Sequence, residues 1–200
     1  MKERLIPFKT PMVRALLDGT KTQTRRIVKP RPPAVVQSVY RPFPAEPNNW
    51  QGYGDGLIHW YGSCPYGAPG DRLYVKEAWR VPSMFDTLPG SSFTSAQIWY
   101  EADDGYKGAG RYRHARFMPR WAMRITLDIT DVRVERLQEI STEDAIAEGV
   151  DVHPDHHRKP RTSIYSPVQA YRDLWEQING PDSWAANPWV WVVSFRPIAP

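Results

Sequence analysis

The sequence has very little cysteine and no long apolar segment. These two features argue against a disulfide-rich protein and against a protein that spans a membrane. Cys64 is the single cysteine in 200 residues, which excludes an internal disulfide bond and a cysteine-rich zinc cluster. No apolar run approaches the roughly 18 residues that suggest a membrane-spanning helix. The first residues, MKERLIPFKTP, lack the apolar core of a secretory signal peptide. We therefore expect a soluble, cytoplasmic protein.

Charge and aromatic content favour nucleic acid or nucleotides as the partner. The chain is 41% hydrophobic and 24% charged, which is ordinary for a globular domain. The formal net charge is +4, and nineteen of the twenty-six basic residues are arginine, whose planar fork pairs with phosphate and stacks on bases. Nine tryptophans and ten tyrosines offer stacking surfaces. Ordinary solvation of a basic surface is the alternative interpretation.

Hydrophobic periodicity and turn residues predict a small α+β or barrel-like fold. Strands are predicted at residues 5–8, 20–29, 70–79, 98–102, 118–137 and 187–198, the fifth of them with a bulge near Asp131. Helices are predicted at residues 11–19, 142–149 and 166–180, with Thr10 and Ser141 as N-caps of the first two. Residues 30–69 are rich in proline, glycine and tyrosine, and they predict an irregular insertion with at most short strands.

The segment LLDGTKTQTRR contains the first candidate site. Gly19 is a natural stop for the preceding helix, and the threonine-rich stretch after it reads as a strand. Side chains alternate along a strand, so Lys21 and Thr24 converge only if Lys21 lies in the turn after Gly19 or a bulge redirects one of them. A buried lysine with a lowered pKa acts as a base, and a threonine hydroxyl attacks or orients water. Alternatively, Lys21, Arg25 and Arg26 bind phosphate or are the solvated side chains of a surface strand.

Glu148 is the second candidate, and the remaining features are weaker. Glu148 lies in the last helical turn before Gly149, where it is a surface acid unless the fold brings it near Lys21. The segment HPDHH, residues 153–157, is loop-like and lacks the ligand spacing of known zinc sites, so no metal is predicted. Cys64 is expected to be a buried thiol. Four tryptophans fall inside predicted strands, and most of them are expected in the core: Trp79, Trp121, Trp189 and Trp191. Tyr74 and the insertion residues Trp50 and Trp60 are candidates for stacking a base, and the sequence singles out none of them.

Four segments together resemble the ASCH domain, a branch of the PUA-like superfamily. LLDGTKTQTRR resembles its helix, glycine and Lys-Thr-x-Thr-x-Arg signature, and GDRLYVKEAW resembles its Gly-Asp strand. ITDVRVERLQEISTEDAIAEGV resembles its central strand and the helix that ends in Glu-Gly, and PWVWVVSFRPI resembles its last strand. The whole chain is similar to a subgroup found in phages and prophages. The resemblance implies a single domain over residues 1–200, a small PUA-like β-barrel with flanking helices, with insertions at about residues 30–69, 81–118 and 151–187.

The resemblance also implies a cleft for RNA or a modified nucleoside. The family includes an N4-acetylcytidine amidohydrolase that uses a Lys, a Thr and a Glu, and with one residue gapped these fall on Lys21, Thr24 and Glu148. We therefore predict an RNA- or nucleoside-directed amidohydrolase with these three catalytic residues and without a cofactor. Lys21, Arg25 and Arg26 are predicted to contact nucleic acid. The alternatives are a non-catalytic RNA-binding module, a ribonuclease-type activity, and a phage accessory protein that binds a host protein.

Overall fold

The computed structural model describes residues 1–88, 98–103, 110–150 and 166–198. Within these residues the elements follow in the order β1 (Glu3–Pro7), α1 (Thr10–Leu17), β2 (Gln23–Ile27), β3 (Ser38–Tyr40), β4 (Trp50–Gly54), β5 (Leu57–Gly62), β6 (Arg72–Lys76), β7 (Trp79–Arg80), β8 (Trp99–Tyr100), β9 (Thr126–Arg136), α2 (Thr142–Ala147), α3 (Pro167–Asn179) and β10 (Trp189–Ile198). The predicted α+β class is confirmed.

A five-stranded sheet with the order β1-β6-β9-β10-β2 forms the centre of the fold. Only β1 and β6 run parallel, and the other neighbours in this sheet are antiparallel. Along β9 and β10, Ser194 lies opposite Asp131 while Phe195 lies opposite Ile129, so Thr130 is an extra residue. This is the bulge predicted near Asp131. The sheet begins with β1 and ends with β2, and no closed barrel forms among the described residues.

The first insertion, residues 30–69, contains a three-stranded antiparallel sheet with the order β3-β4-β5. Its indoles pack against the central sheet: the rings of Trp50 and Trp60 lie 5.7 and 6.2 Å from that of Trp191. Both insertion tryptophans are buried, which removes them as candidates for stacking a base. The phenol of Tyr74 donates to Glu3 Oε1 at 2.6 Å, and Arg120 covers its ring, so Tyr74 is also already engaged.

Strand β10 buries side chains on both faces of the central sheet. Val190 and Val192 pack against α2 and α3, whereas Trp191 and Val193 belong to the larger cluster that includes α1. A strand covered on both faces is apolar at every position, which explains the uninterrupted run in PWVWVV. Trp79 and Trp189 are buried as predicted.

Of the two predicted helix caps, the one at Ser141 is confirmed. The Ser141 hydroxyl accepts from the main-chain N–H of Asp144 at 3.1 Å, and Ser166 begins α3 in the same way. The prediction for α1 is wrong by one residue: Thr10 is already helical, and Lys9 is the N-cap without a side-chain hydrogen bond. The predicted strand at 118–137 begins only at Thr126, because residues 120–122 form a 3-10 turn that leaves Trp121 exposed. None of the described helices combines the length and apolar character needed to cross a membrane.

Candidate functional site

A cavity of about 660 Å³ lies along β2, the edge strand of the central sheet. The segment before α1, the end of α2 and one side of α3 complete its walls, together with residues 114–116. Because the cavity follows a free edge, it meets side chains from both faces of the sheet. Thr24 and Arg25 therefore both line it although they alternate along the strand.

Lys21 reaches the cavity because it precedes β2 and is not part of it. Gly19 has φ +72 and ends α1, after which the Lys21 N–H donates to the carbonyl of Ala15 at 2.9 Å. An isolated β-bridge then pairs Lys21 with Glu148. The turn after Gly19 therefore places Lys21 beside Glu148, and both residues line the same cavity as Thr24.

The Lys21 ammonium is buried and fully hydrogen-bonded. Its Nζ donates to Glu148 Oε2 at 2.8 Å, to the Glu148 carbonyl at 2.8 Å and to the Gln23 carbonyl at 2.7 Å. The residue is only 1% exposed. Burial lowers the pKa of Lys21, and the adjacent Glu148 carboxylate opposes this effect in part. Lys21 therefore holds its proton less firmly than an exposed lysine.

Glu148 is shared between two cations at the end of α2. Its Oε2 accepts from Lys21, while its Oε1 accepts from Arg25 Nη1 at 3.4 Å. The next residue, Gly149, has φ +77, and a Cβ there would lie 2.9 Å from the Cβ atoms of Ala15 and Lys21. Glycine at this position therefore lets the end of α2 approach the Lys21 turn closely enough for the ion pair.

Arg25 lines the cavity and belongs to an ion-pair network. We define this network by three cations and three carboxylates: Lys21, Arg25, Arg133, Glu135, Asp144 and Glu148. Arg25 Nη2 contacts Glu135 at 2.5 Å and Asp144 at 2.8 Å. Its pKa is raised: burial alone would lower it, but Glu148 and Glu135 outweigh that effect. Arg25 is 2% exposed, so this arrangement favours positioning of Glu148 over the predicted contact with nucleic acid.

Arg26 is held differently, by neutral oxygens. Its Nη1 donates to Thr24 Oγ1 at 2.9 Å and to the carbonyl of Arg25 at 3.1 Å, and its Nη2 donates to the carbonyl of Pro7 at 3.2 Å. Its guanidinium also lies 5.1 Å from the ring of Phe8. A guanidinium directed at the Thr24 hydroxyl stabilises negative charge on that oxygen.

Aromatic walls are the part of the site that sequence reasoning missed. Phe8, Tyr66, Tyr171 and Trp175 line the cavity. Burial raises the pKa of Tyr171 well above its ordinary value, and the nearby Glu148 carboxylate adds to the effect. The apolar stripe of the helix at 166–180 was a usable signal for Tyr171 and Trp175, but it indicates burial without showing which elements the stripe faces.

Metal ligation has no support in the part of the chain that the structure describes, where no group of three or more His, Cys, Asp or Glu side chains is placed to hold an ion. The predicted loop HPDHH, residues 153–157, lies outside the described residues. Cys64 is a buried thiol as predicted. Comparisons with protein-family models, with curated proteins and with solved structures find no match for this chain.

Proposed function

We propose that this chain is an ASCH-type protein whose cavity binds a modified cytidine, free or in RNA, and hydrolyses an exocyclic amide such as that of N4-acetylcytidine. The observation that carries the proposal is the convergence of Lys21, Thr24 and Glu148 on one cavity, with Lys21 and Glu148 in direct contact. Aromatic walls beside these polar groups suit a planar base.

Amide hydrolysis needs a proton acceptor, a proton donor and a positive group near the developing oxyanion. Water adds its oxygen to the acetyl carbon and loses a proton. The bond from this carbon to N4 then breaks, N4 gains a proton, and acetate and cytidine leave. The Lys21–Glu148 pair accepts and returns the proton, since burial favours the neutral amine of Lys21. Thr24 orients this water. In the alternative route the Thr24 hydroxyl attacks the acetyl carbon and its proton passes to N4 as cytidine leaves, and water then hydrolyses the threonine ester to release acetate and restore the hydroxyl.

The test is incubation of the purified protein with N4-acetylcytidine, followed by mass spectrometry for cytidine and acetate. Thr24→Val keeps the shape of the side chain and removes the hydroxyl, and Lys21→Ala removes the amine. Loss of either group should lower the rate by about 10²–10⁴-fold. The control is Lys2→Gln, because Lys2 is exposed and does not line the cavity. Absence of deacetylated product from both the free nucleoside and a short RNA that carries the same base, or unchanged turnover in Lys21→Ala, refutes catalysis by these residues.

Nucleic-acid binding without chemistry is a second candidate, and one observation favours it. The charged Lys21 ammonium has three N–H donors, and three protein oxygens already accept them. A charged Lys21 then has no donor left for a ligand and acts as a structural cation. In this case, RNA binding should weaken steeply with added salt while no product forms from any acetylated base. A binding constant that does not respond to salt contradicts this candidate.

We also propose that the central sheet corresponds to the PUA-like barrel of the ASCH family. The order of elements supports this relation: a helix, the edge strand β2, the long strand β9, a helix ending at Glu148 and the final strand β10 follow the order implied by the resemblance.

A further inference from the structure

The charges around the cavity divide into a balanced floor and an unbalanced rim. The floor belongs to the ion-pair network, in which three cations face three carboxylates. Lys21, Arg25 and Glu148 are the members of this network that line the cavity. The rim carries four further cations, which we call the rim cations: Lys9, Arg26, Lys29 and Arg116. All of them are exposed except Arg26, which is half-buried.

No carboxylate neutralises the rim among the described residues. Glu148 is the single acid among the described residues that line the cavity, and Lys21 and Arg25 already share it. In the same described ranges, none of the rim cations has a carboxylate oxygen within 4.0 Å. The mouth of the cavity therefore has an excess of positive charge.

The fold holds the guanidinium of one rim cation in place and anchors the main chain of another. Arg26 is fixed by the Thr24 hydroxyl and the Pro7 carbonyl. The segment that carries Arg116 is tied to β6, because Lys76 Nζ donates to the Arg116 carbonyl at 2.6 Å. A fixed guanidinium binds an anion with less loss of side-chain freedom than a mobile one.

We propose that the rim cations bind a phosphate group, so that the ligand of the cavity is a phosphorylated nucleotide and not a free nucleoside. The inference rests on the proposed function, in which the aromatic walls take the base. Arginine and lysine are the side chains that recognise phosphate, and the four rim cations line one cavity without a carboxylate partner among the described residues. A volume of about 660 Å³ falls within the range of roughly 300–1,000 Å³ typical of small-molecule sites, which leaves room beyond the base.

The test is a calorimetric titration with N4-acetylcytidine, its 5′-monophosphate and a short single-stranded RNA with the same base at its centre. The expected result is binding of the monophosphate about tenfold or more tighter than the nucleoside, because each charge-assisted hydrogen bond is strong. In the variant Lys9→Gln/Lys29→Gln the ratio of the two affinities should fall toward one. The control Lys2→Gln removes an exposed lysine of the same type and should leave the ratio as in the wild type.

The three ligands also separate the source of the phosphate. If the monophosphate binds as tightly as the RNA, the ligand is a free nucleotide. If the RNA binds more tightly and the slope of its salt dependence falls by about 0.7 for each rim cation removed, the ligand is a strand. Nucleoside and monophosphate affinities within about twofold of each other overturn the proposal, since a charge-assisted contact would exceed that difference. An unchanged ratio in the rim variant, or failure of all three to bind, also overturns it.

Failure of this inference differs from failure of the proposed function. A phosphate-dependent ratio without any release of acetate would refute hydrolysis and leave the rim assignment standing. Acetate released from the free nucleoside as fast as from the monophosphate would support hydrolysis and refute the role of the rim cations in binding phosphate.

Discussion

Replacement of Glu148 by glutamine should destabilise the protein more than replacement of Lys21 by methionine. Glu148→Gln leaves Lys21 and Arg25 facing each other without the carboxylate that separates them, and it gives the ion-pair network an excess positive charge. Arg26 is close enough to lower the pKa of Lys21, so it adds to this repulsion. Lys21→Met leaves Glu148 with Arg25 as a partner, and the nearby Arg26 offsets the excess negative charge.

The magnitude follows from the burial of the pair, in which the side chains of Lys21 and Glu148 are 1% and 4% exposed. Removal of one partner from a buried pair costs about 3–5 kcal/mol, and we expect this for Glu148→Gln. Lys21→Met should cost about 1–3 kcal/mol, because its partner carboxylate keeps one hydrogen bond to a cation. The double variant restores the balance of charge, so its loss should be smaller than the sum of the single losses by about 1–3 kcal/mol.

The assay is urea denaturation of the wild type, both single variants and the double variant, followed by tryptophan fluorescence and extrapolated with a common slope. Near-ultraviolet circular dichroism at zero urea checks that each variant is folded. Two results would refute the reasoning: losses that add to within about 0.5 kcal/mol, which is the behaviour of independent sites, or a larger loss for Lys21→Met than for Glu148→Gln.

Three further predictions concern pH and backbone geometry. Burial lowers the pKa of Lys21, so between that lowered value and 10.5 the unfolded chain binds more protons than the folded one. The free energy of unfolding of the wild type, measured relative to Lys21→Met, should therefore rise with pH in this window. A difference that falls or stays flat contradicts the burial of a charged amine. Cys64 shows the opposite sign, since burial raises its pKa from 9.0 to about 11: relative to Cys64→Ala, we expect the wild type to lose about 2 kcal/mol as the pH rises through this range, measured by urea denaturation at each pH. Gly149→Ala should cost about 2–4 kcal/mol, because a left-handed φ and two Cβ contacts of 2.9 Å both oppose the new methyl group. Its matched control is Gly56→Ala, with φ +76 and no atom within 4 Å, which should cost only about 1 kcal/mol in the same assay; equal losses would show that the close approach has no energetic weight.

The convergence of Lys21 and Thr24 could be predicted from the sequence because its causes are local. Gly19 predicts a left-handed stop, and a residue two positions later lies in the turn before the strand begins. The contact of Glu148 with Lys21 joins residues 127 positions apart. Local pattern does not predict such a contact, and Glu148 was singled out with the help of the family resemblance. The cap at Thr10 was misplaced by one residue, which is the usual uncertainty of a helix boundary.

The environment of Arg25 could not be predicted, because local sequence does not distinguish an arginine that binds phosphate from one that pairs with acids of its own chain. Its partners Glu135 and Asp144 are 110 and 119 positions away. The local sequence gives no reason to expect either acid beside Arg25. Glu135 lies in the long strand β9, and Asp144 lies in the first turn of α2, where it stabilises the helix N-terminus. The contact with Arg25 appears only when β9 and α2 pack beside β2.

The free edge of β2 gives a physical reason for placing so many cations at one site. An unpaired edge exposes main-chain carbonyls and invites pairing with another strand. In β2 the carbonyl of Gln23 accepts from Lys21 Nζ and that of Arg25 accepts from Arg26 Nη1, so side chains cover oxygens along this edge. Of the two cations, Lys21 is neutralised by Glu148, whereas Arg26 has no carboxylate partner among the described residues. The arrangement that protects the edge thus also leaves a fixed positive charge beside the Thr24 hydroxyl, which is where the proposed function needs a cation to stabilise negative charge.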